Sequence, residues 1–352
     1  MTLTNNTAIA VTAAHAVTAV GHDAIMTSAS VNAGITRLVK SAAYQDSQGR
    51  PVTTAPITGL FDSMADAPLR MTRIAALGLE KMLTAYFEHE MSRSGRIDLF
   101  LGAAPGARPG PAYAAHAQTR LVAVLKKFTG DVAVEIIPQG NAAAFAGLSR
   151  ACEAIAARQH ALSIVGALDS LLYSSTLNWF EQNRRLKSES PGRHQALVPG
   201  QGAGFFICES VDQARRRQKP ILAEVKGVGL AVEPEPFITP TPGKAQGLTQ
   251  AMRAALKTVA PEDIHTLLCD QNGEHHRARE WHFALMRCFQ PGGPGKIPFL
   301  YPAQCYGDIG AAAGAVLTAI AIEGLRHGRF KEYVLIACAD DHGSCGAVVL
   351  GK

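Results

Sequence analysis

Several groups in this chain are of the kinds that reacting centres use. Asp340-Asp341-His342 sets two carboxylates beside an imidazole, the equipment of general acid–base chemistry. Asp308 lies in another polar loop, shortly after the thiol of Cys305. Asn141 follows a Pro138-Gln139-Gly140 break between an apolar run, Val132 to Ile137, and an alanine-rich helix that starts at Asn141 or just after. A strand, a tight elbow and the N-terminus of a buried helix present one side chain to a pocket, where helix amides and dipole favour developing negative charge. The side chain presented is an asparagine, which is not a nucleophile. The plainer readings compete: a solvated polar loop at 340–342, a small buried hydrophobe at Cys305, and exposed histidines at His275 and His276. Neither of those two histidines has a partner at metal-ligand spacing, and no metal or cofactor is expected.

Those groups must be carried by alternating strands and helices. Ile9 to Val17 reads as a first strand, and Ala24 to Ala33 as a helix. Residues 40 to 60 look loop-rich. Arg70 to Tyr86 has helical spacing of Met71, Ile74, Ala75, Leu79, Met82, Leu83 and Tyr86. A buried strand over Asp98 to Ala103, a Gly/Pro loop and a helix over Ala112 to Phe128 lead to the elbow. The central helix should run to about Gln159, and a strand begins at Ala161. Leu172 to Leu186 is a covering segment and Ser188 to Gly204 a long loop. Two strands, Ala203 to Glu209 and Ile221 to Leu230, flank the basic run Arg215-Arg216-Arg217-Gln218-Lys219, read as a solvated linker. Then come a helix (247–259), a strand (266–270), a helix (277–289), a loop (292–295), an Ala/Gly-rich helix (310–326) and strands at 333–338 and 346–350.

Composition sets the bounds. The chain has 352 residues, 47% hydrophobic and 18% charged, with 33 glycines. That suits a large core of helices packed closely on sheets. A formal charge of +5 is too mild to argue for nucleic acid. The seven cysteines are scattered through apolar runs with no CxxC pair, which reads as reduced thiols in a cytoplasmic protein. The N-terminal stretch lacks a basic region before its apolar run, and no stretch of about 18 uninterrupted apolar residues suggests a membrane span.

The two halves match. Asn141-Ala-Ala-Ala-Phe-Ala-Gly opens a helix leading to the strand Ala161-Leu-Ser-Ile-Val-Gly-Ala. Gly310-Ala-Ala-Ala-Gly-Ala opens one leading to Tyr333-Val-Leu-Ile-Ala-Cys-Ala. Each half then enters a terminal strand through a glycine-containing turn, Gly200-Gln-Gly-Ala-Gly-Phe-Phe-Ile and His342-Gly-Ser-Cys-Gly-Ala-Val-Val. A duplication of this order predicts two α/β halves, 1–210 and 220–352, with mixed sheets around two buried helices.

With these motifs the chain resembles the thiolase superfamily, closest to the β-ketoacyl-[acyl-carrier-protein] synthases. Ile9 to Gly21 is similar to their first strand and turn, and Leu197-Val-Pro-Gly-Gln-Gly-Ala-Gly-Phe to their Gly-Glu-Gly-Ala-Gly segment. Ile221 to Gly229 resembles the strand opening their second half, and Ala311-Ala-Ala-Gly314 follows the loop of their second histidine. The resemblance implies the thiolase-like fold, five layers α-β-α-β-α. It also implies a catalytic cysteine at the helix N-terminus and two histidines. Here the cysteine position is Asn141 and the histidine positions are Asn272 and Asp308. The lysine before the second motif is Ala303, and the glycine-phenylalanine loop becomes Asp340-Asp341-His342-Gly343-Ser344.

The resemblance therefore implies a degenerate synthase, a pseudoenzyme lacking condensing activity. It would act as a partner, chain-length-factor-like or scaffold subunit in fatty-acid or polyketide-type acyl chemistry. The implied partners are a second copy or an active ketosynthase in a dimer, with an acyl carrier protein as a further one. An acyl-thioester hydrolase or acyltransferase using a repurposed pocket of Asn141, Asp308, Asp341 and His342 is the alternative. A condensing enzyme with Cys305 as displaced nucleophile is the third reading.

Overall fold

The structure, a computed structural model, describes residues 7–88, 95–157, 162–289 and 293–352. The first half runs β1 (Ile9–Thr18), α1 (Ala24–Asn32), β2 (Val39–Gln45), β3 (Pro51–Thr54), α2 (Ala67–Tyr86), β4 (Arg96–Gly102), α3 (Tyr113–Leu125), β5 (Asp131–Ile137), α4 (Ala143–Ala156), β6 (Leu162–Ser170), α5 (Ser174–Gln182) and β7 (Gln201–Ser210). After α6 (Val211–Arg216) the second half runs β8 (Ala223–Val232), α7 (Gln246–Ala255), β9 (Ile264–Cys269), α8 (His275–Cys288), β10 (Phe299–Leu300), α9 (Ala303–Tyr306), α10 (Ala313–Arg326), β11 (Tyr333–Ala339) and β12 (Ser344–Gly351).

The duplication predicted from the repeated motifs is present in the strand order. In the first half β1 is antiparallel to β7 and β7 to β6, while β6, β4 and β5 are parallel. In the second, β8 is antiparallel to β12 and β12 to β11, while β11, β9 and β10 are parallel. The two sets do not stay separate. Ile9 to Val11 of β1 pair with Ala223 to Val225 of β8, joining them into one ten-stranded sheet, β10-β9-β11-β12-β8-β1-β7-β6-β4-β5.

The period-two alternation of each strand then makes five layers. On β6 and β7, Val165, Ala167, Phe206 and Cys208 face a central core, while Ile164, Leu168, Phe205 and Ile207 face the core beneath α2 and α3. On β11, Val334, Ile336 and Cys338 join the same central core, while Leu335, Ala337 and Ala339 face α7 and α8. The central layer is α4 and α10. Both are rich in alanine and glycine because they are closely packed: α10 is buried from Ala313 to Leu325, and α4 is buried except on a face with Arg150 and Glu153. A Cβ on Gly314 would lie 3.0 Å from the Asn141 carbonyl oxygen.

Most expected elements are present. The strand pair β2–β3 occupies the stretch expected to be loop-rich. β2 is largely exposed, and the buried face of β3 is only Val52 and Thr54, so the pair left a weak periodic mark. The basic run is not a plain linker: its first two arginines end α6, and Arg217 lies over the rings of Tyr86 and Phe87. The covering segment contains α5, and Gln201 and Gly202 belong to β7 rather than the preceding loop. The helix end at Gln159, the strand start at Ala161 and the loop start at Gly292 fall outside the described residues.

Each central helix is entered through a 3₁₀ turn, Gly140–Ala142 before α4 and Gly310–Ala312 before α10. Both leading glycines have φ +54. A Cβ on Gly140 would lie 1.9 Å from Asp340 Oδ2, and one on Gly310 2.3 Å from Asp169 Oδ2. A positive φ alone makes alanine cost about 1 kcal/mol, and a clash with a packed carboxylate adds to that. Gly140→Ala and Gly310→Ala should each lower stability by about 2 kcal/mol or more in urea unfolding. Gly34→Ala should lose only the backbone part, because Gly34 has φ +67 and no atom within 4 Å of a built Cβ.

Candidate functional site

The C-terminal ends of β6, β9 and β11 and the starts of α4 and α10 meet at one end of the central layer. The elbow there is held by Gly140 N donating to the Ala103 carbonyl at 2.9 Å, which ties it to the end of β4. Asn141 is 8% exposed, and its Nδ2 donates to Asp270 Oδ2 at 3.2 Å. Asp270, at the end of β9, also accepts from Ala339 N at 2.9 Å and from Trp281 Nε1 at 3.2 Å. Burial raises its carboxyl above the ordinary range.

Asn272 is the next link. Its Nδ2 donates to Asp308 Oδ2 at 2.8 Å and to Glu274 Oε2 at 3.0 Å, and its Oδ1 accepts from Glu274 N at 3.1 Å. Asp308 Oδ1 accepts from Gly310 N at 2.8 Å. Burial lifts the Asp308 carboxyl to about 6, against the pull of the Asn272 and Gly310 donors. Two of the three elbow and loop positions singled out in the sequence, Asn272 and Asp308, are therefore in direct contact. Asn141 joins them only through Asp270 and the β9 end.

Glu274 carries the network outward. Arg185 Nε and Nη2 each bond it at 2.7 Å, and Arg185 Nη1 bonds Asp341 Oδ2 at 2.7 Å. Arg277 Nη2 bonds Asp341 Oδ1 at 2.8 Å, and Nη1 bonds Glu280 at 3.0 Å. Burial alone would raise the Asp341 carboxyl, but Arg185 and Arg277 hold it well below the usual carboxylate range. The guanidinium of Arg185 also lies over the rings of Phe237, Phe180 and Trp179.

The polar loop 340–342 is thus not simply solvated. Asp341 is locked between two buried arginines. His342 turns the other way: its Nδ1 is 3.1 Å from Asp340 Oδ1, a contact that raises the imidazole pKa. Asp308 bonds Asn272 and Gly310, and His342 bonds Asp340, so the two do not form the acid–base pair a hydrolase would use. Cys305 is fully buried in α9, and burial raises its thiol pKa, which is the state of an inert core thiol rather than a nucleophile. His275 is exposed as expected, whereas His276 is half-buried and stacked on Phe237 with centroids 3.7 Å apart.

The sequence reading missed Arg185, Asp270, Glu274 and Arg277. Three of them were signalled. Asp270 and Glu274 bracket Asn272, and Arg277 sits on the buried stripe of α8 with Trp281, Ala284, Leu285 and Cys288. Arg185 lies in the long irregular connection after α5, where no periodicity marks burial.

Comparisons with known proteins agree with this architecture. No protein-family model matches the chain. A 3-oxoacyl-[acyl-carrier-protein] synthase homolog of Saccharomyces cerevisiae is 26% identical over 165 residues, 44% of this chain and 37% of that protein. The chain thus spans little more than a third of the length of that curated relative. Among solved structures, a chain from a type II polyketide ketosynthase with its acyl-carrier protein, bound to the hexaketide, has a TM-score of 0.80 at 16% identity, with 98% of this chain and 99% of that one covered. The fold is that of the ketosynthases. A chain of the ishigamide ketosynthase/chain length factor gives 0.76 at 16% identity, with the same coverage. No described helix is long and apolar enough to cross a membrane, and no group of three His, Cys, Asp or Glu among the described residues could hold a metal.

Ketosynthase-like chemistry at this elbow would need a thiolate and donors for an enolate oxygen. Here the amide donors of Asn141 and Asn272 are spent on carboxyl groups, and Asp308 is bonded by Asn272 and by Gly310 N. Loss of one such donor typically costs about 10²–10³ in rate.

Two measurements check the network. Arg185→Met would strand Glu274 without its cation and should cost about 3–5 kcal/mol of stability. Asp308 is an acid whose pKa rises on folding, from 3.8 to about 6. The folded state therefore binds more protons in that window, and Asp308 makes stability fall as pH rises through it, by about 3 kcal/mol in all. The unfolding free energy should drop from pH 4.5 to pH 7 by about 2 kcal/mol more in the unmodified chain than in Asp308→Asn, the rest of the effect lying below pH 4.5.

Proposed function

We propose that this chain is a non-condensing ketosynthase-like subunit that works beside an active ketosynthase and an acyl-carrier protein in fatty-acid or polyketide-type acyl chemistry. One observation carries the reading. The positions matched to a cysteine and two histidines are Asn141, Asn272 and Asp308, and the two amide groups donate to buried carboxyls rather than facing an acyl group. The site is built for order: Asn272, Glu274, Arg185, Asp341 and Arg277 form one continuous hydrogen-bonded network. The likeness to ketosynthase and chain-length-factor chains supports the choice of a partner subunit over an unrelated role.

The assembly follows from β5. It is the last strand of the sheet, and among the described residues its outer edge has no partner. Val132, Ala133, Val134 and Ile136 are only half-buried there. A groove lined by Phe100, Val134, Arg150 and Glu153 runs beside it. An uncovered, β-branched edge of this kind invites another strand. Light scattering should give a dimer, with itself or with an active synthase, and Val134→Arg should shift it to a monomer without loss of fold. A monomeric unmodified chain that also retains no ketosynthase in pull-downs would count against the subunit reading.

The chemical arm uses the elbow itself. Intact mass after incubation with acyl-CoA or acyl-carrier protein should show no acyl adduct. Asn141→Cys would place a thiol in a buried site beside the Asp270 carboxyl, with Asp340 against Gly140. Burial and neighbouring carboxylates raise a thiol pKa and oppose the helix dipole. Its alkylation by iodoacetamide at pH 7 should be no faster than that of a free cysteine, with no carbon–carbon bond formed. Condensation by either form would overturn the reading.

A further inference from the structure

Asn272 and Gly273 form the chain's only Asn-Gly pair. Asparagine is a thermolabile residue. The backbone nitrogen that follows it can attack its side-chain carbonyl, close a five-membered imide ring and expel ammonia. A side chain on the next residue hinders that attack, and glycine has none. Ring closure further needs a free nucleophile, a polarised carbonyl, a proton carrier at the leaving nitrogen, and a side chain folded over the next peptide.

All four meet at Asn272. Gly273 is exposed with φ +99, and no hydrogen bond among the described residues holds its N–H. Glu274 N donates to Asn272 Oδ1 at 3.1 Å. This closes an Asx turn, which folds the side-chain amide back over the Gly273 peptide. The same donor draws electrons from the carbon to be attacked, as an oxyanion-hole amide does. Asn272 Nδ2, the leaving nitrogen, donates to Asp308 Oδ2 at 2.8 Å and to Glu274 Oε2 at 3.0 Å. Burial lifts the Asp308 carboxyl to about 6, so it takes up and returns a proton readily near neutral pH. Asn141 is the contrast: Ala142 follows it within a 3₁₀ turn.

We propose that Asn272 is a self-processing site, converted through a succinimide with Gly273 to aspartate and isoaspartate, with Asp308 as the proton carrier. The Gly273 nitrogen bonds to Asn272 Cγ, and its proton passes to the Asp308 carboxylate. The Cγ–Nδ2 bond then breaks, and Asp308 returns the proton to the leaving nitrogen, which departs as ammonia. Water adds to one imide carbonyl and reopens the ring. One water is consumed and one ammonia released, with no change of oxidation state. The product alters the network around it. Both donors of the Asn272 amide are lost, and a carboxylate stands in their place against Glu274 and Asp308, where like charges repel. Glu274 is the group that Arg185 holds. The conversion therefore loosens the link between the connection after α5 and the loop after β9, once and irreversibly in each molecule. It is independent of the subunit reading.

The test is peptide mapping of the full chain, with an ammonia assay, during prolonged incubation at pH 7. The peptide containing residue 272 should gain the mass of an amide-to-acid change and show isoaspartate, while those containing Asn141 and Asn183 stay intact. The rate should exceed that of the same chain unfolded in guanidinium chloride. Asp308→Asn keeps an acceptor for Asn272 but cannot carry the proton. It should slow the folded chain at least about 10-fold and leave the unfolded rate unchanged. Conversion no faster in the folded chain than in the unfolded one would overturn the proposal, because the fold would then protect the residue; this comparison needs no variant. A faster folded rate that Asp308→Asn leaves unchanged would overturn it as well.

Discussion

The structure depends on how its two central helices begin. Each is surrounded by sheet and by its twin, so each needs small side chains along its length and a polar group at its buried start, where amides have no helical partner. The halves meet this need across one another. Asp169, at the end of β6, accepts from Ala311 N at 2.8 Å at the entry to α10, and Arg108 pairs with it at 2.6 Å. Asp340, just after β11, lies against Gly140 at the entry to α4. A left-handed glycine is required at both places because the other half's carboxylate fills the space a Cβ would take. These carboxylates add a second link between the halves beside the shared sheet.

That arrangement also sets the electrostatics around the elbow. A helix start that stabilises an anion on a bound acyl group must leave its amides and its field free. Around Asn141 and Asn272 the field is answered from within the protein, by Asp270, Asp308 and Asp340. Arg185 and Arg277 then neutralise the outer acids, Glu274 and Asp341. Buried ion pairs of this kind add little net stability over apolar packing but are costly to break, so they act as fasteners of specific loops. Here they fasten the connection after α5 to the loops that follow β9 and β11.

Much of the fold could be read from the chain. The repeated order of glycine turn, alanine-rich helix and apolar strand foretold the duplicated strand order, because close packing leaves a strong compositional mark. The exposed pair β2–β3 left no such mark. The joining of two sheets through Ile9–Val11 and Ala223–Val225 depends on a pairing between distant segments with no local signature. Asn141, Asn272 and Asp308 were legible in the sequence as candidate site residues. The partners that absorb their hydrogen bonds were only half legible: Asp270 and Glu274 bracket Asn272, while Arg185 sits in irregular chain.

By itself, then, the sequence determined the layers and the elbow, since these follow from residue type and periodicity. Tertiary structure alone decided which polar groups answer which. Asp308 bonds Asn272 and not His342, Asp341 lies between Arg185 and Arg277 rather than in water, and Cys305 faces the core. Hydrogen bonds and ion pairs are directional and span long stretches of chain, so their pairing is fixed only when the backbone has brought the loops together.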